Sequence, residues 1–136
     1  MAEPLTATER STLIHAAQIV AQHAYAPYSR FRVGAAVLGG SGVYLGTNVE
    51  NASSGLSLCA ERSALCAAVA AGDLRIRAVA VACIDADPAG PAGSLMPCGA
   101  CCQWVAELAP HATIIVAGLD RDYVIEDLLP RPFRLS

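Results

Sequence analysis

The sequence contains no lysine: all nine of its basic side chains are arginines, and they are spread along the chain without a basic run. Twelve aspartates and glutamates leave a formal net charge of −3 at pH 7. Because binding to a phosphate backbone requires clustered cations, this charge pattern argues against a nucleic-acid partner. It favours a small molecule as the ligand.

Long apolar runs are also missing. No stretch reaches the roughly 18 residues that a membrane span requires. The sequence begins Met-Ala-Glu-Pro, without the basic and apolar segments of a secretory leader. We therefore expect a cytoplasmic chain without membrane association, in which the six cysteines stay reduced.

Charged residues are scarce, at 15%, while hydrophobic residues make up 54% of the 136 residues. The length predicts one domain over residues 1–136. A small domain with this composition is expected to expose apolar surface. Association into a homo-oligomer would bury that surface. The alternative is that much of this fraction is alanine in helices and needs no interface.

The hydrophobic periodicity predicts an α/β chain. Its first half contains a helix that runs to about His23 and that Thr6 or Thr8 can cap, Glu9 standing at the capping-box spacing from Thr6. A hairpin of strands over 31–38 and 43–49 follows. Helices and strands then alternate, which implies parallel crossovers. They are a helix over 59–72, a strand over 77–84, a helix from Cys98 to before Pro110, a strand over 113–117, a short edge strand at 123–125 and a helical turn at 126–129.

Three cysteines and one glutamate give the strongest chemical signal. Cys59 begins a Cys-Ala-Glu triplet, and Cys98 and Cys101 form a later Pro-Cys-x-x-Cys motif. Thiolates are good ligands for Zn²⁺, and a C-x-x-C pair holds an ion from a single turn. Because three protein ligands leave one position for water, the set predicts a catalytic zinc site, with Glu61 able to reach that water.

The remaining cysteines offer alternatives. Cys102 follows Cys101 directly, so that a C-x-x-x-C pair is a second way to hold the metal, although C-x-x-C is the usual spacing. Cys66, in the middle of a predicted helix, and Cys83, in a predicted strand, are interpreted as buried apolar fillers.

Five segments in this order resemble the small zinc-dependent cytidine deaminase family, over a length from Tyr25 to about Phe133. The segments are PYSRFRVGAA at 27–36, NVENA at 48–52, CAER at 59–62, PCGAC at 97–101 and LLP at 128–130. The resemblance implies a three-layer α/β/α sandwich with a five-stranded mixed sheet, one Zn²⁺ per chain and a homotetramer. It also implies hydrolytic deamination of cytidine or deoxycytidine, a reaction of pyrimidine salvage.

The resemblance further implies what the residues next to the metal do. Glu61 takes a proton from the activated water, passes it to ring N3 and later delivers a proton to the leaving amine. Three thiolates on one Zn²⁺ leave a net charge of −1, which weakens the metal as a Lewis acid. Arg62 is expected to hydrogen-bond a ligand thiolate and return positive charge.

Other positions are implied to bind the nucleoside. Asn48 and Glu50 lie two apart on one strand, face the same way and are expected to bind the ribose hydroxyl. Phe31 packs on the pyrimidine, and the backbone at Ala60 reads the edge of the base. Phe133 resembles an aromatic residue that closes the site of a neighbouring subunit.

Two positions depart from the family pattern. Cys102 stands where the family usually has arginine, and Ser54 stands where it often has an aromatic residue. These departures leave room for a deaminase of a modified cytosine nucleoside or of a nucleoside antibiotic, of the blasticidin S type. A non-catalytic, zinc-stabilised binding module is the third reading, and Glu61 beside the cysteine set argues against it.

Overall fold

The computed structural model describes residues 4–136, and helices and strands alternate along it. Residues 1–3, on which the expected lack of a leader partly rests, lie outside the described range. None of the helices in the described part combines the length and apolarity needed to cross a membrane. The elements are α1 Ala7–Val20, β1 Val33–Leu38, β2 Val43–Thr47, α2 Ala60–Ala70, β3 Ala78–Cys83, α3 Gly99–Leu108, β4 Thr113–Val116 and α4 Ile125–Leu128.

The four strands form one mixed sheet in the order β2-β1-β3-β4. β1 pairs antiparallel with both β2 and β3, while β3 and β4 pair parallel. β2, β3 and β4 therefore all run in one direction. The predicted hairpin is confirmed, and Gly39 N donates to Gly42 O at 2.8 Å in its turn.

Helices cover both faces of the sheet, which confirms the predicted three-layer α/β/α architecture. α1 packs on one face, where the core consists of Leu13, Ala17, Ala36, Ala78, Ala80, Ala82 and Ile115. α2 and α3 share the other face, where the larger core includes Leu65, Val79, Val105 and Ile114. The predicted capping box of α1 is present, since Thr6 Oγ1 accepts from Glu9 N at 3.0 Å and Glu9 Oε1 accepts from Thr6 N at 3.1 Å.

The strand directions fix where α2 and α3 begin. α2 follows β2 and α3 follows β3, and both helices return along the same face of the sheet. Since β2 and β3 run in the same direction, both helices start at the same edge of the sheet. This edge, outside the carboxyl ends of parallel strands, is the usual position of a ligand site in open α/β sheets.

Gly46 in β2 allows the first turn of α2 to pack directly on the sheet. A Cβ atom at this position would lie 2.6 Å from the carbonyl oxygen of Ala60. Any side chain at Gly46 would therefore push Ala60 and its neighbours away from the edge of the sheet. The glycine sets the position of the segment that contains Glu61.

The expected fifth strand is the one architectural feature that the structure corrects. Residues 123–125 do not form a strand: Tyr123 makes a single antiparallel bridge with Ile114, through bonds of 2.7 and 2.9 Å. The segment cannot extend this pairing because α4 begins at Ile125, with Asp127 Oδ2 accepting from Val124 N at 3.0 Å. Because α4 starts two residues after Tyr123, the sheet of the described residues has four strands.

Candidate active site

Three thiols meet at the edge of the sheet where α2 and α3 begin. Cys59 is the N-cap residue of α2, Cys98 is the N-cap residue of α3, and Cys101 lies in the first turn of α3. Their Sγ atoms all lie within 4.8 Å of one another. The Cys59–Cys98 separation is 3.7 Å and the Cys98–Cys101 separation is 3.5 Å.

These separations fit one zinc ion. Tetrahedral Zn²⁺ with Zn–S bonds of about 2.3 Å keeps its sulfur ligands about 3.8 Å apart. Both N-cap cysteines sit where unpaired backbone N–H groups stabilise a thiolate, and Cys101 N donates to Cys98 Sγ at 3.4 Å. In the part of the chain that the structure describes, no fourth cysteine, histidine or carboxylate joins the group. One position therefore stays open for water.

Arg62 brings positive charge to the thiol cluster. Its Nη2 donates to Cys59 Sγ at 3.4 Å. A hydrogen bond from the Cys101 thiol, assisted by Arg62 and opposed by burial, lowers the pKa of the Cys59 thiol to about 5. The same hydrogen bond raises the pKa of the Cys101 thiol, and burial adds to the rise.

Glu61 lies directly behind the cluster and is only 4% exposed. Burial raises the pKa of its carboxyl group to about 7, and the charge of Cys59 adds to the rise. A carboxyl group with such a pKa gains and loses a proton readily near neutral pH. This is the property that a general acid–base group requires.

The thiols and Glu61 open onto a cleft of about 430 Å³. Seven of the predicted site residues line this one cleft, and Cys101, whose Sγ lies 3.5 Å from that of Cys98, is fully buried. It is lined by Ser29, Phe31, Val33, Asn48, Glu50, Cys59, Ala60, Glu61, Val81, Cys83, Ser94, Met96 and Cys98.

Sequence reasoning missed several of these lining residues. Ser29 and Val33 flank Phe31, so the alternation of the strand start was a usable signal for them. Ser94 lies in a short 3-10 helix, Ala92–Leu95, and Met96 follows it before Cys98. The sequence gives no periodicity there from which the direction of a side chain could be predicted. Their place in the cleft depends on the path of that segment across the edge of the sheet.

Asn48 and Glu50 line the cleft and also hold its rim together. Asn48 Nδ2 donates to Phe31 O, and Asn48 Oδ1 accepts from Val33 N, both at 2.8 Å. One N–H and one lone pair of this amide remain for a ligand. Glu50 accepts from the hydroxyl and the backbone N–H of Ser29, which lower the pKa of its carboxyl group. It is therefore an ionised acceptor at neutral pH.

Phe133 lies outside this cleft. Its side chain is 69% exposed. Its backbone is held by Gln103, which donates to Phe133 O at 2.8 Å and accepts from Phe133 N at 3.1 Å. The aromatic ring is thus presented at the surface from a fixed backbone.

The other cysteines differ from one another in their surroundings. Cys66 is exposed, so its interpretation as a buried filler is wrong. The buried positions of α2, among them Ala64, Leu65 and Ala68, define a helix face from which position 66 points away. Cys83 is partly buried at the cleft. Cys102 is buried in the larger core, and its Sγ donates to Pro97 O at 3.8 Å.

A cleft of this kind, with three thiols able to hold a metal ion and a buried carboxyl group at the carboxyl ends of the strands of an α/β/α sandwich, has the groups that a zinc-dependent hydrolase needs. Residues 7–117 match the family described as the cytidine and deoxycytidylate deaminase zinc-binding region. A cytidine deaminase of Halalkalibacterium halodurans is 43% identical over 130 residues, which cover 92% of this chain and 94% of that protein.

Solved structures agree with these matches. The crystal structure of cytidine deaminase from Burkholderia pseudomallei has a TM-score of 0.81 and 43% identity, covering 95% of this chain and all of that one. The crystal structure of cytidine deaminase from Mycobacterium tuberculosis has a TM-score of 0.77 and 40% identity, covering 92% of this chain and 97% of that one. The chain belongs to the cytidine deaminase family.

Proposed function

We propose that this protein is a zinc-dependent hydrolase that converts cytidine and deoxycytidine to uridine and deoxyuridine with release of ammonia. One observation carries the proposal: the buried carboxyl group of Glu61 and the three-thiol zinc group open onto the same cleft. The substrate named for the most similar relatives supports it.

Cys59, Cys98 and Cys101 would hold the Zn²⁺, which when bound would supply the Lewis acid that lowers the pKa of a water molecule. Glu61 accepts a proton from that water and transfers it to N3 of the pyrimidine. The water oxygen forms the new bond to C4. Glu61 then takes the remaining proton from the new hydroxyl group at C4 and delivers it to the amino group; the C4–N bond breaks, C4 becomes a carbonyl carbon, and ammonia leaves. One water is consumed for each ammonia released.

Four residues are proposed to bind the nucleoside. Asn48 donates a hydrogen bond from its amide nitrogen to the ribose hydroxyl oxygen, and Glu50, as an ionised acceptor, accepts one from the hydroxyl O–H. Phe31 packs against the pyrimidine ring. The backbone at Ala60, next to the metal group, binds the edge of the base. All four line the cleft.

The charge of the cleft favours a free nucleoside over a nucleotide. The family description covers both cytidine and deoxycytidylate deaminases. Among the described residues, the cleft is lined by the carboxyl groups of Glu50 and Glu61 and by two metal-site thiols, but by no arginine. A phosphate dianion would meet these acidic groups and find no cationic side chain in the cleft to pair with.

No observation favours either alternative function, the deaminase of a nucleoside antibiotic or the non-catalytic zinc module. Cys102 is buried in the core and Ser54 is exposed, and neither lines the cleft. The two departures therefore give no reason to prefer a nucleoside antibiotic as substrate. A non-catalytic zinc module would have no use for a buried carboxyl group at an open metal position.

We also propose that the protein is a homotetramer in which Phe133 closes the cleft of a neighbouring subunit. The surface retains many large apolar side chains, including Leu56 at 72% and Phe133 at 69% exposure. Such residues favour burial between subunits. The fixed backbone of Phe133 would lower the entropy lost when its ring docks.

A reducing compartment suits this chemistry, and we propose a cytoplasmic location. All six cysteines are free, and the zinc site needs three of them as thiolates. We further propose that residues 1–136 act as a single catalytic domain.

An ultraviolet assay of the zinc-loaded protein tests the proposed reaction. Cytidine, deoxycytidine, deoxycytidylate, free cytosine and a cytosine-containing nucleoside antibiotic are compared at equal concentration. We expect turnover of the two nucleosides with ammonia formed in equal amount, and little turnover of the nucleotide. Zinc-loaded, folded protein that deaminates neither nucleoside would refute the proposal.

A further inference from the structure

Cys83 lies at the boundary of two cavities. It lines the cleft at the carboxyl end of β3, and it also lines a second cavity of about 300 Å³ beneath the segment that follows β3. Among the described residues it is the only one that lines both. The second cavity is otherwise bordered by Gln18, Ala82, Ile84, Ala86, Asp87, Pro88, Gly90, Leu95, Ala117 and Gly118.

The proposed chemistry fixes which edge of the pyrimidine faces Cys83. C4 must reach the zinc group between the starts of α2 and α3, and N3 must face Glu61 on α2. In a pyrimidine, N3 and C5 flank C4 on opposite sides, so the C5 edge points away from α2. Cys59, Ala60, Glu61 and Cys98 line the cleft from the starts of α2 and α3, Asn48 and Glu50 form its ribose side, and Ser29, Phe31 and Val33 form its ring-packing side. The rest of the lining is supplied by Val81, Cys83, Ser94 and Met96.

The surroundings of Cys83 agree with this orientation. Its Sγ donates to Leu95 O at 3.9 Å, so the side chain points toward a residue that borders the second cavity. Burial raises the pKa of its thiol to about 11, and the charge of Glu61 contributes, so Cys83 lies near the reacting end of the cleft. The neighbouring pair Arg32–Asp85, joined at 2.8 Å, holds the end of β3 to the start of β1.

We propose that Cys83 is a specificity-determining residue: its side chain separates the cleft from the second cavity and limits the size of the substituent accepted at pyrimidine C5. The proposal rests on the proposed deamination of cytosine nucleosides. Val81 and Met96 complete an apolar wall that suits a methyl group or a halogen. A larger substituent requires the space behind Cys83.

Two substitutions test this role, one that makes the side chain at position 83 smaller and one that makes it larger. Cys83→Ala opens the boundary, and Cys83→Ile closes it with a β-branched side chain that suits a strand. One methylene group in an apolar pocket changes discrimination by roughly 10- to 200-fold. We expect the ratio of kcat/KM for 5-bromodeoxycytidine to that for deoxycytidine to rise about tenfold in Cys83→Ala and to fall about tenfold in Cys83→Ile.

Cys66→Ala is the matched control, because it makes the same change at an exposed cysteine outside the cleft. It should leave the ratio as in the unmodified protein. If Cys83→Ile melts much lower than the unmodified protein, Cys83→Val replaces it as the enlarged variant. A ratio that stays constant in the smaller and the larger variant, while deoxycytidine is still turned over, overturns the role of Cys83.

A binding measurement tells whether a negative result disproves only the role of Cys83 or also the proposed deaminase function. In a Glu61→Gln background, calorimetry gives the dissociation constants of the two nucleosides without turnover. The Cys83 substitutions should shift the ratio of these constants in the same directions. Binding of deoxycytidine with an unchanged ratio overturns the size limit alone, whereas absence of both binding and turnover overturns the proposed function and the size limit with it.

Discussion

The guanidinium group of Arg62 donates a hydrogen bond of 3.4 Å to Sγ of Cys59, across the first turn of α2. Its Nε is buried and has no hydrogen-bond partner among the described residues. The group is therefore held at the cluster mainly by its contact with sulfur. A hydrogen-bond donor to a ligand thiolate reduces the negative charge that the sulfur donates to the metal. The metal is therefore a stronger Lewis acid.

Replacement of Arg62 by glutamine should weaken this site. Glutamine removes the positive charge beside three thiolates, and loss of such an outer partner costs about 10- to 100-fold in metal affinity or activity. Chelator competition and kcat/KM for cytidine measure the two effects. Arg62→Lys is the matched control, because it keeps the positive charge but loses the planar guanidinium group. Its metal affinity and its kcat/KM should lie between those of the unmodified protein and those of the glutamine variant. A glutamine variant equal to the unmodified protein in both measurements would contradict the assignment.

Glu61→Gln should keep the fold and the zinc but lose activity by at least about 10²- to 10⁴-fold, since glutamine cannot transfer a proton. The rate of cytidine deamination is the measurement, with zinc content and melting temperature as controls. Retention of more than about a tenth of the rate would remove Glu61 from its proposed role.

Two adjacent cysteines should respond differently to alanine. Cys101→Ala removes a sulfur that lies 3.5 Å from Cys98 Sγ, so it should strip zinc and lower the melting temperature, because metal binding and folding are linked. Cys102→Ala should keep one zinc per chain, since Cys102 contacts Pro97 O in the core. Elemental analysis of the purified variants decides between them. Zinc retained in the first variant and lost in the second would reverse the ligand set.

Asp73 should make stability depend on pH. Its carboxylate accepts from Ser41 N at 2.8 Å, Gly40 N at 3.0 Å and Tyr44 Oη at 2.8 Å, and these bonds, Ser41 first, lower its pKa below the ordinary 3.8. Its contribution is present above the unfolded pKa and is lost as pH falls through the folded pKa. Asp73→Asn should lower the melting temperature by roughly 5–10 °C at pH 7.

The difference between Asp73→Asn and the unmodified protein should shrink as pH falls below about 4, because the protonated aspartic acid loses the same bonds. Thermal melts at several pH values measure it. A difference that is constant down to about pH 2 would show that Asp73 contributes packing and not charge.

The oligomeric state is predicted to be a homotetramer whose activity depends on Phe133. Sedimentation equilibrium gives the mass at assay concentration. Phe133→Ala should lower kcat/KM for cytidine, because the ring would no longer close a neighbouring cleft. Arg134→Ala, at an adjacent exposed position, is the control and should have little effect. A fully active monomer would exclude this arrangement.

Local patterns made much of the fold predictable. The capping box of Thr6 and Glu9, the glycine-rich turn at 39–42 and the buried run of β3 each depend on residues close together in the chain. The grouping of Cys59, Cys98 and Cys101 was predictable for a similar reason. Cys98 and Cys101 share one helical turn, and Cys59 starts the other helix on the same face of the sheet.

The misjudged features depend on longer-range packing. Whether residues 123–125 extend the sheet was decided by the helix start at Ile125 competing with pairing to Ile114. The exposure of Cys66 follows from the orientation of α2, which presents Ala64 and Leu65 to the sheet. Periodicity describes a face of a helix but does not say which neighbour covers it.

The sequence by itself determined the chemistry: three thiols, a carboxyl group and an arginine at spacings that suit a catalytic zinc ion. Tertiary structure alone decided how these groups meet a substrate. Because β2 and β3 run in the same direction, α2 and α3 start at one edge of the sheet, and Cys59 comes within 3.7 Å of Cys98. The path of the segment before α3 then adds Ser94 and Met96 to the cleft, beside Cys83 at the end of β3. No spacing along the chain encodes that juxtaposition, since it arises from packing between distant segments.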